Sequence, residues 1–187
     1  SAGVRPRRIV ISTHTIALQE QVVTKDMPLL LRALESVAGS SVASRLPDFR
    51  RVRYTQLKGR SNYICMQRVR EVQNKDTDQL EMEEFAATTK VEINRLSTWA
   101  RTSDTGDQAD LDWAPSDRAW RAVSVGSDEC PGAKRCPKGE TCFAELARQR
   151  ATMADVVVVN MHLYGLHVAS NNMLLPEHDV VIFDEAH

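Results

Sequence analysis

VVIFDEAH (residues 180–187) joins four apolar residues directly to two acids, an alanine and a histidine. Its apolar half is typical of a short strand. DVVVVN (residues 155–160) is a continuous β-branched run, which is the pattern of a strand buried on both faces of a parallel sheet. RRIVIST (residues 7–13) is a third short apolar run. Helix-like segments follow the second and third of these runs, so the sequence predicts an α/β domain with a parallel sheet.

The middle of the chain has a different character. Residues 58–151 contain helix-like segments and polar loops, and a helix is predicted from Phe143 to Met153. We therefore expect residues 1–57 to begin the sheet domain, residues 58–151 to form a small, mainly helical insertion, and residues 152–187 to return to the sheet domain.

Composition limits the possible partners and location. The formal net charge is −1, so any surface for nucleic acid must be a local basic patch. No stretch approaches the roughly 18–20 apolar residues that span a membrane. The first residues lack the apolar region and cleavage site of a signal peptide. These features predict a cytoplasmic protein without a membrane partner.

Four cysteines are present, three of them within 13 residues: Cys65, Cys130, Cys136 and Cys142. In a reducing cytosol they are not expected to form disulfides. The loop DECPGAKRCPKGETCF (residues 128–143) is polar and basic, so it offers its thiols no apolar core. This favours a metal or cluster site over unrelated buried thiols.

Two acids, Asp184 and Glu185, directly follow the last predicted strand. Ligands of open α/β sheets bind beyond the carboxyl ends of the strands. Asp184 is therefore a candidate Mg²⁺ ligand, because Mg²⁺ needs only one or two carboxylates beside substrate phosphates. Glu185 is a candidate for activating the water that attacks a γ-phosphoryl group, and His187 for coupling that site to a neighbouring surface. A strand that simply ends in solvated acids is the alternative.

Several segments resemble, in the same order, the DinG branch of the iron–sulfur superfamily 2 helicases related to XPD. VVIFDEAH resembles their motif II, the Walker B or DEAH box, and VVVVNMHLY (residues 156–164) resembles the approach to it. IVISTHTIALQEQVVTKDMPLL (residues 9–30) is similar to motif Ia. LKGRSNYIC (residues 57–65) and the polar cysteine loop resemble the parts that supply the cluster ligands.

The resemblance implies a RecA-like motor domain interrupted by an iron–sulfur insertion. It implies a [4Fe–4S] cluster on the four cysteines, whose thiolates are the usual ligands of such clusters. A zinc site is the alternative, but structural zinc sites usually pair their ligands as C-x₂₋₄-C. Here five residues lie between successive cysteines of the loop, and 64 residues lie between the fourth cysteine, Cys65, and Cys130.

The resemblance also implies an ATP-dependent DNA helicase. Such an enzyme uses ATP and Mg²⁺ to move 5′ to 3′ on single-stranded DNA, at forked or displaced-strand DNA in repair or replication, and we expect a monomer. In motif Ia the contacts to phosphates fall on Ser12 and Thr13, with Gln19 as a further candidate. Around the cysteines, a basic patch is expected, with a scattered solvated surface as the alternative: Lys58, Arg60, Arg68, Lys134, Arg135 and Lys138.

The 187 residues contain no GxxxxGK[ST] phosphate-binding loop. By resemblance the chain corresponds to the segment from motif Ia to motif II, with that loop upstream and a second motor domain downstream. We therefore expect the chain alone to be inactive, because hydrolysis needs a phosphate cradle as well as magnesium. The alternatives are a non-enzymatic iron–sulfur or zinc DNA-binding module and an iron–sulfur nuclease, for which no convincing acid-acid-lysine site precedes the cysteines.

Overall fold

The computed structural model describes residues 8–36, 52–75 and 83–184. Four strands form one sheet in the spatial order β2-β3-β1-β4. Their bounds are β1 Ile9–Thr13, β2 Tyr54–Gln56, β3 Val156–Asn160 and β4 Val180–Phe183. The helices are α1 Ile16–Gln21, α2 Met27–Ser36, α3 Met66–Lys75, α4 Glu83–Ala100, α5 Asp117–Val123, α6 Phe143–Met153 and α7 Met161–Ala169.

Every strand pair in this sheet is parallel. β1 lies between β3 and β4, with Ile9 opposite Val156 on one side and Val180 on the other. β2 extends the sheet beyond β3. Val157, Val158 and Val159 are fully buried, as a strand covered on both faces requires. The predicted α/β class with a parallel sheet is confirmed.

The helical segment after β1 continues past Pro28 through a local change in helix type. Thr15 caps α1, because its hydroxyl accepts a hydrogen bond from the Leu18 N–H at 3.1 Å. A π-helical turn, Val22–Asp26, then leads directly into α2. A regular α-helix would press the Pro28 ring against a carbonyl one turn earlier, and the wider turn before Pro28 accommodates the ring.

The chain divides into two compact units. The first, called here the sheet unit, comprises the residues up to Lys58 and from Arg148 onward. The second, called here the helical unit, comprises Gly59–Ala147. The segment boundaries that the sequence predicts, after residues 57 and 151, stay predictions.

The helical unit has its own apolar core. Leu96 of α4 and Val123 of α5 are fully buried, and Trp120 of α5 donates its indole N–H to the Ser61 carbonyl at 2.8 Å. Gly106 has a φ of 61°, and a Cβ built there would lie 2.3 Å from the ring of Phe143. Glycine is therefore required at this position by both backbone conformation and space.

We expect Gly106→Ala to destabilise the helical unit by about 2–4 kcal/mol, because it adds a left-handed alanine and a clash inside the core. All three tryptophans belong to this unit, so their fluorescence during denaturant unfolding reports its stability. Gly59→Ala is the matched control, since its Cβ would meet only the Asn62 amide at 3.7 Å. Equal unfolding midpoints for the two variants would contradict this account of the core.

Candidate functional site

The carboxyl ends of the four parallel strands lie along one edge of the sheet. Asp184 follows β4 at this edge, is half-buried, and donates its main-chain N–H to the Ser12 carbonyl at 2.9 Å. The candidate magnesium ligand is therefore held beside the end of β1. Glu185 and His187 lie outside the described residues.

The hydroxyls of Ser12 and Thr13 point into the protein and not to solvent. Both residues are fully buried. The Thr13 hydroxyl lies within hydrogen-bond distance of the Thr15 carbonyl at 3.0 Å and of the Val159 carbonyl at 3.4 Å. The Ser12 hydroxyl has no hydrogen-bond partner within the described part of the chain. His14 and Thr15, the next residues of the turn, are exposed.

Gln19 also has an internal role that its polarity did not indicate. It is fully buried, and its side-chain amide donates to the Leu57 carbonyl at 3.0 Å and the Val158 carbonyl at 2.8 Å. Leu57 directly follows β2 and Val158 is the middle residue of β3, so Gln19 ties α1 to these two neighbouring strands.

Lys58 and Asn160 lie at the carboxyl edge of the sheet. The Lys58 side chain is 1% exposed and forms a close ion pair with Glu20 on α1, so it does not contribute a solvent-facing charge. Asn160 ends β3 and caps α7, because its side-chain oxygen accepts from the Leu163 N–H at 2.8 Å.

Three of the four cysteines lie around one cavity in the helical unit. Cys65, Cys130 and Cys136 line one cavity of about 300 Å³. Burial raises the pKa of the Cys65 thiol, the main-chain N–H groups of the following turn lower it, and neighbouring Cys142 and Cys136 raise it further. Cys142 and Cys136 therefore lie close enough to Cys65 to influence its thiol, which the sequence spacing alone could not establish.

Main-chain turns hold the cysteine loop. The N–H of Cys130 donates to the Gly126 carbonyl at 3.2 Å, and that of Cys142 donates to the Gly139 carbonyl at 3.3 Å. Gly139 passes so close to Ala133 that a Cβ there would lie 2.0 Å from its carbonyl oxygen. The loop is therefore folded tightly without an apolar core of its own.

The thiol groups of the helical unit are the candidate ligands of a metal group. Within residues 8–36, 52–75 and 83–184, no three His, Cys, Asp or Glu side chains are arranged to hold one metal ion. Three of the four cysteines nevertheless line one cavity, and Cys142 lies close enough to Cys65 to raise its pKa. Four thiolates are the donors that iron–sulfur clusters use. The residues present therefore fit a cluster in donor chemistry and number.

The cations near the cysteines differ in exposure. The Arg60 side chain is 10% exposed and forms a close ion pair with Glu145 of α6. Burial lowers the Arg60 pKa, but the hydrogen bond and charge of Glu145, with Cys130 and Cys142, raise it overall. Arg68 pairs with Glu129 at 2.6 Å. Lys134 and Arg135 are exposed, which both a basic patch and a scattered solvated surface would allow.

No helix in the described ranges is long and apolar enough to cross a membrane.

Comparison with known proteins identifies relatives along nearly the whole chain, although no protein-family model matches it. The ATP-dependent helicase DinG of Mycobacterium tuberculosis is 40% identical over 186 residues, which cover 96% of this chain and 26% of that protein. The ATP-dependent DNA helicase YoaA of Escherichia coli is 32% identical over 97% of this chain and 26% of its own length. A Bacillus subtilis protein named 3'-5' exonuclease DinG is 27% identical over 96% of the chain and 17% of its own length.

The chain spans about a quarter of the length of the curated helicases it matches. The likeness includes both the strands that place Asp184 and the segment that carries the four cysteines. The chain therefore belongs to the DinG-like helicase family.

Proposed function

We propose that these 187 residues are the part of an ATP-dependent DNA helicase that carries motif Ia, an iron–sulfur insertion and the magnesium-binding acids. The complete enzyme would couple ATP hydrolysis to 5′-3′ movement on single-stranded DNA, at forked or displaced-strand substrates. The observation that supports this most is the position of Asp184 at the carboxyl edge of a parallel sheet, beside motif Ia.

In this proposal the acids have separate roles. Asp184 holds Mg²⁺ beside the nucleotide phosphates, directly or through a water, because its carboxylate stands just beyond β4. Glu185 orients and deprotonates the attacking water, and His187 couples the site to a neighbouring surface. Both acids can act only on a nucleotide whose phosphates are held in place by a phosphate-binding loop.

We expect the 187-residue chain alone to show no ATPase activity, with or without single-stranded DNA, because it contains no phosphate-binding GxxxxGK[ST] loop. Phosphate release measured on the pure chain checks this, with Glu185→Gln as the control for contaminating ATPases. ATP hydrolysis by the unsubstituted chain that is lost in Glu185→Gln would contradict the inference that the chain needs a separate phosphate-binding loop.

The proposed [4Fe–4S] cluster is held by Cys65, Cys130, Cys136 and Cys142. When bound, it supplies iron–thiolate bonds that tie these four chain positions together. Two of the cysteines are positioned by helix N-termini. Cys65 directly precedes α3 and its carbonyl accepts a hydrogen bond from the Val69 N–H, while Cys142 directly precedes α6 and its carbonyl accepts one from the Leu146 N–H. The helix ends fix two thiols, and the tight loop presents the other two.

Protein prepared without oxygen should be brown and should contain about four irons and four sulfides per chain. Cys136→Ser should bleach it, whereas Thr141→Val, an exposed neighbour of Cys142 without a thiol, should keep the colour. Metal analysis and absorbance near 400 nm measure this. Stoichiometric zinc without that absorbance would replace the cluster by the alternative zinc module.

The contact with single-stranded DNA is proposed on two separate surfaces. On the sheet unit, Ser12 and Thr13 are both buried and the Thr13 hydroxyl contacts the Thr15 carbonyl, so the DNA strand would meet the exposed residues that follow them. On the helical unit, Lys134 and Arg135 meet phosphates. Arg60 can join them only by leaving Glu145, because its guanidinium is buried in that ion pair.

Lys134→Ala should make the dependence of log affinity on log salt shallower by about 0.7, because one phosphate contact to a single strand is lost. All sequences should weaken alike, since phosphates carry no sequence information. Fluorescence anisotropy with short single strands at several salt concentrations measures the slope. Arg121→Ala, an equal charge change at an exposed position of α5, is the control, and an identical slope for both variants would remove Lys134 from the DNA surface.

A further inference from the structure

A buried imidazole organises the chain between α7 and β4. His167 is 2% exposed, and its Nδ1 accepts hydrogen bonds from the main-chain N–H groups of Leu174 at 3.3 Å and Leu175 at 3.0 Å. Its own carbonyl accepts from the Asn172 N–H at 2.8 Å. Because Nδ1 is the acceptor, the neutral ring carries its proton on Nε2. One side chain thus satisfies two donors of the loop that leads to β4.

A second imidazole continues this contact towards the strand. The His178 Nδ1 lies 3.0 Å from the Pro176 carbonyl, to which it donates, and its Nε2 lies 3.4 Å from the Tyr164 hydroxyl. The His167 and His178 ring centroids are 5.4 Å apart. Tyr164 also meets Phe183 edge-to-face with centroids 5.3 Å apart. Phe183 is the last residue of β4 and immediately precedes Asp184.

We propose that His167 and His178 form an acid-sensitive brace that positions the 174–178 segment, β4 and, through Phe183, Asp184. His167 is a positioning residue in this proposal, because it touches the loop and not the magnesium site. Its link to magnesium chemistry rests on the proposed function, whereas its response to acid does not.

The brace depends on the His167 ring being neutral. A proton on His167 Nδ1 would turn this acceptor into a donor. The N–H groups of Leu174 and Leu175 would then lose the atom to which they donate. The proton would also place a charge in a buried position beside His178. The titratable groups facing His167 are Tyr164 on α7 and His178 on the loop, while β4 contributes the uncharged Phe183. The Asp179 carboxylate, further along the loop, accepts from the Arg8 N–H.

The direction of the pH effect follows from these contacts. Burial and the charge of His178 lower the pKa of His167 below its ordinary value. The folded segment therefore binds fewer protons than the opened one. Its stability is complete above about pH 6.5 and falls as the pH drops from there to the lowered pKa, by up to about tenfold in the closing equilibrium per pH unit.

Amide hydrogen exchange of the whole chain between about pH 7.5 and 5.5 tests the brace. After correction for intrinsic rates, the amides of Leu174, Leu175 and Asp184 should lose protection together in acid, while α5 in the helical unit serves as the internal reference. Unchanged protection of the Leu174 and Leu175 amides in acid would overturn the brace. A response that stops before Asp184 would overturn the positioning of β4.

Two substitutions on one helix separate titration from structure. His167→Asn keeps an acceptor oxygen near the Nδ1 position but cannot be protonated, so the acid response should disappear. His162→Asn, at an exposed position of α7, should leave it intact. A wild-type response in His167→Asn would overturn the proposal. Should that variant not fold, His178→Gln provides the test, because losing the neighbouring charge must move the end of the transition to higher pH.

These measurements use neither ATP nor DNA. The brace can therefore fail while the helicase proposal stands, and the helicase proposal can fail while the brace stands.

Discussion

The parallel pairing of β3 with β1 is the constraint on which the sheet unit depends. Five consecutive residue pairs, from Ile9–Val156 to Thr13–Asn160, join segments that are far apart in sequence. Because β2 and β4 add to this pair in the same direction, all four carboxyl ends meet at one edge. A one-residue slip would exchange the two faces of β3 and remove the Val158 carbonyl from the amide of Gln19. The position of the candidate site at the carboxyl edge of the sheet is therefore a consequence of strand register.

The sheet was predictable because its signal is local. The apolar, mostly β-branched runs at residues 155–160 and 180–183 predict strands by themselves. The acid that directly follows β4 is thereby placed at the carboxyl end of that strand. The roles of Gln19, Lys58 and Arg60 were not predictable in this way. Their polarity indicates exposure, yet Leu57, Glu20 and Glu145 bind them from 38, 38 and 85 residues away. Burial of a polar side chain is decided by such distant partners, which composition and spacing do not contain.

The cysteine site combines two cysteines at helix N-termini, Cys65 and Cys142, with two that are held by main-chain turns, Cys130 and Cys136. The Cys65 N–H donates to the Val123 carbonyl at 2.7 Å, so this thiol is fixed by the packed core of the helical unit. The loop cysteines have no such core and depend on turns like that of Gly139 against Ala133. Their number and clustering could be seen in the sequence, but their shared cavity required the helices to be placed first. Iron–thiolate bonds would stabilise the positions of Cys130 and Cys136 most.

Charge pairing explains how a chain with a formal net charge of −1 can offer phosphates a surface. Lys58, Arg60 and Arg68 each lie against a glutamate, so their fields are largely cancelled within the protein. Lys134 and Arg135 extend from a loop into solvent, where their charges act over about 8 Å at physiological ionic strength. Paired cations therefore organise the fold, and in the proposed contact with DNA the exposed pair on the loop would supply the attraction. An affinity built in this way falls with salt and does not depend on base sequence.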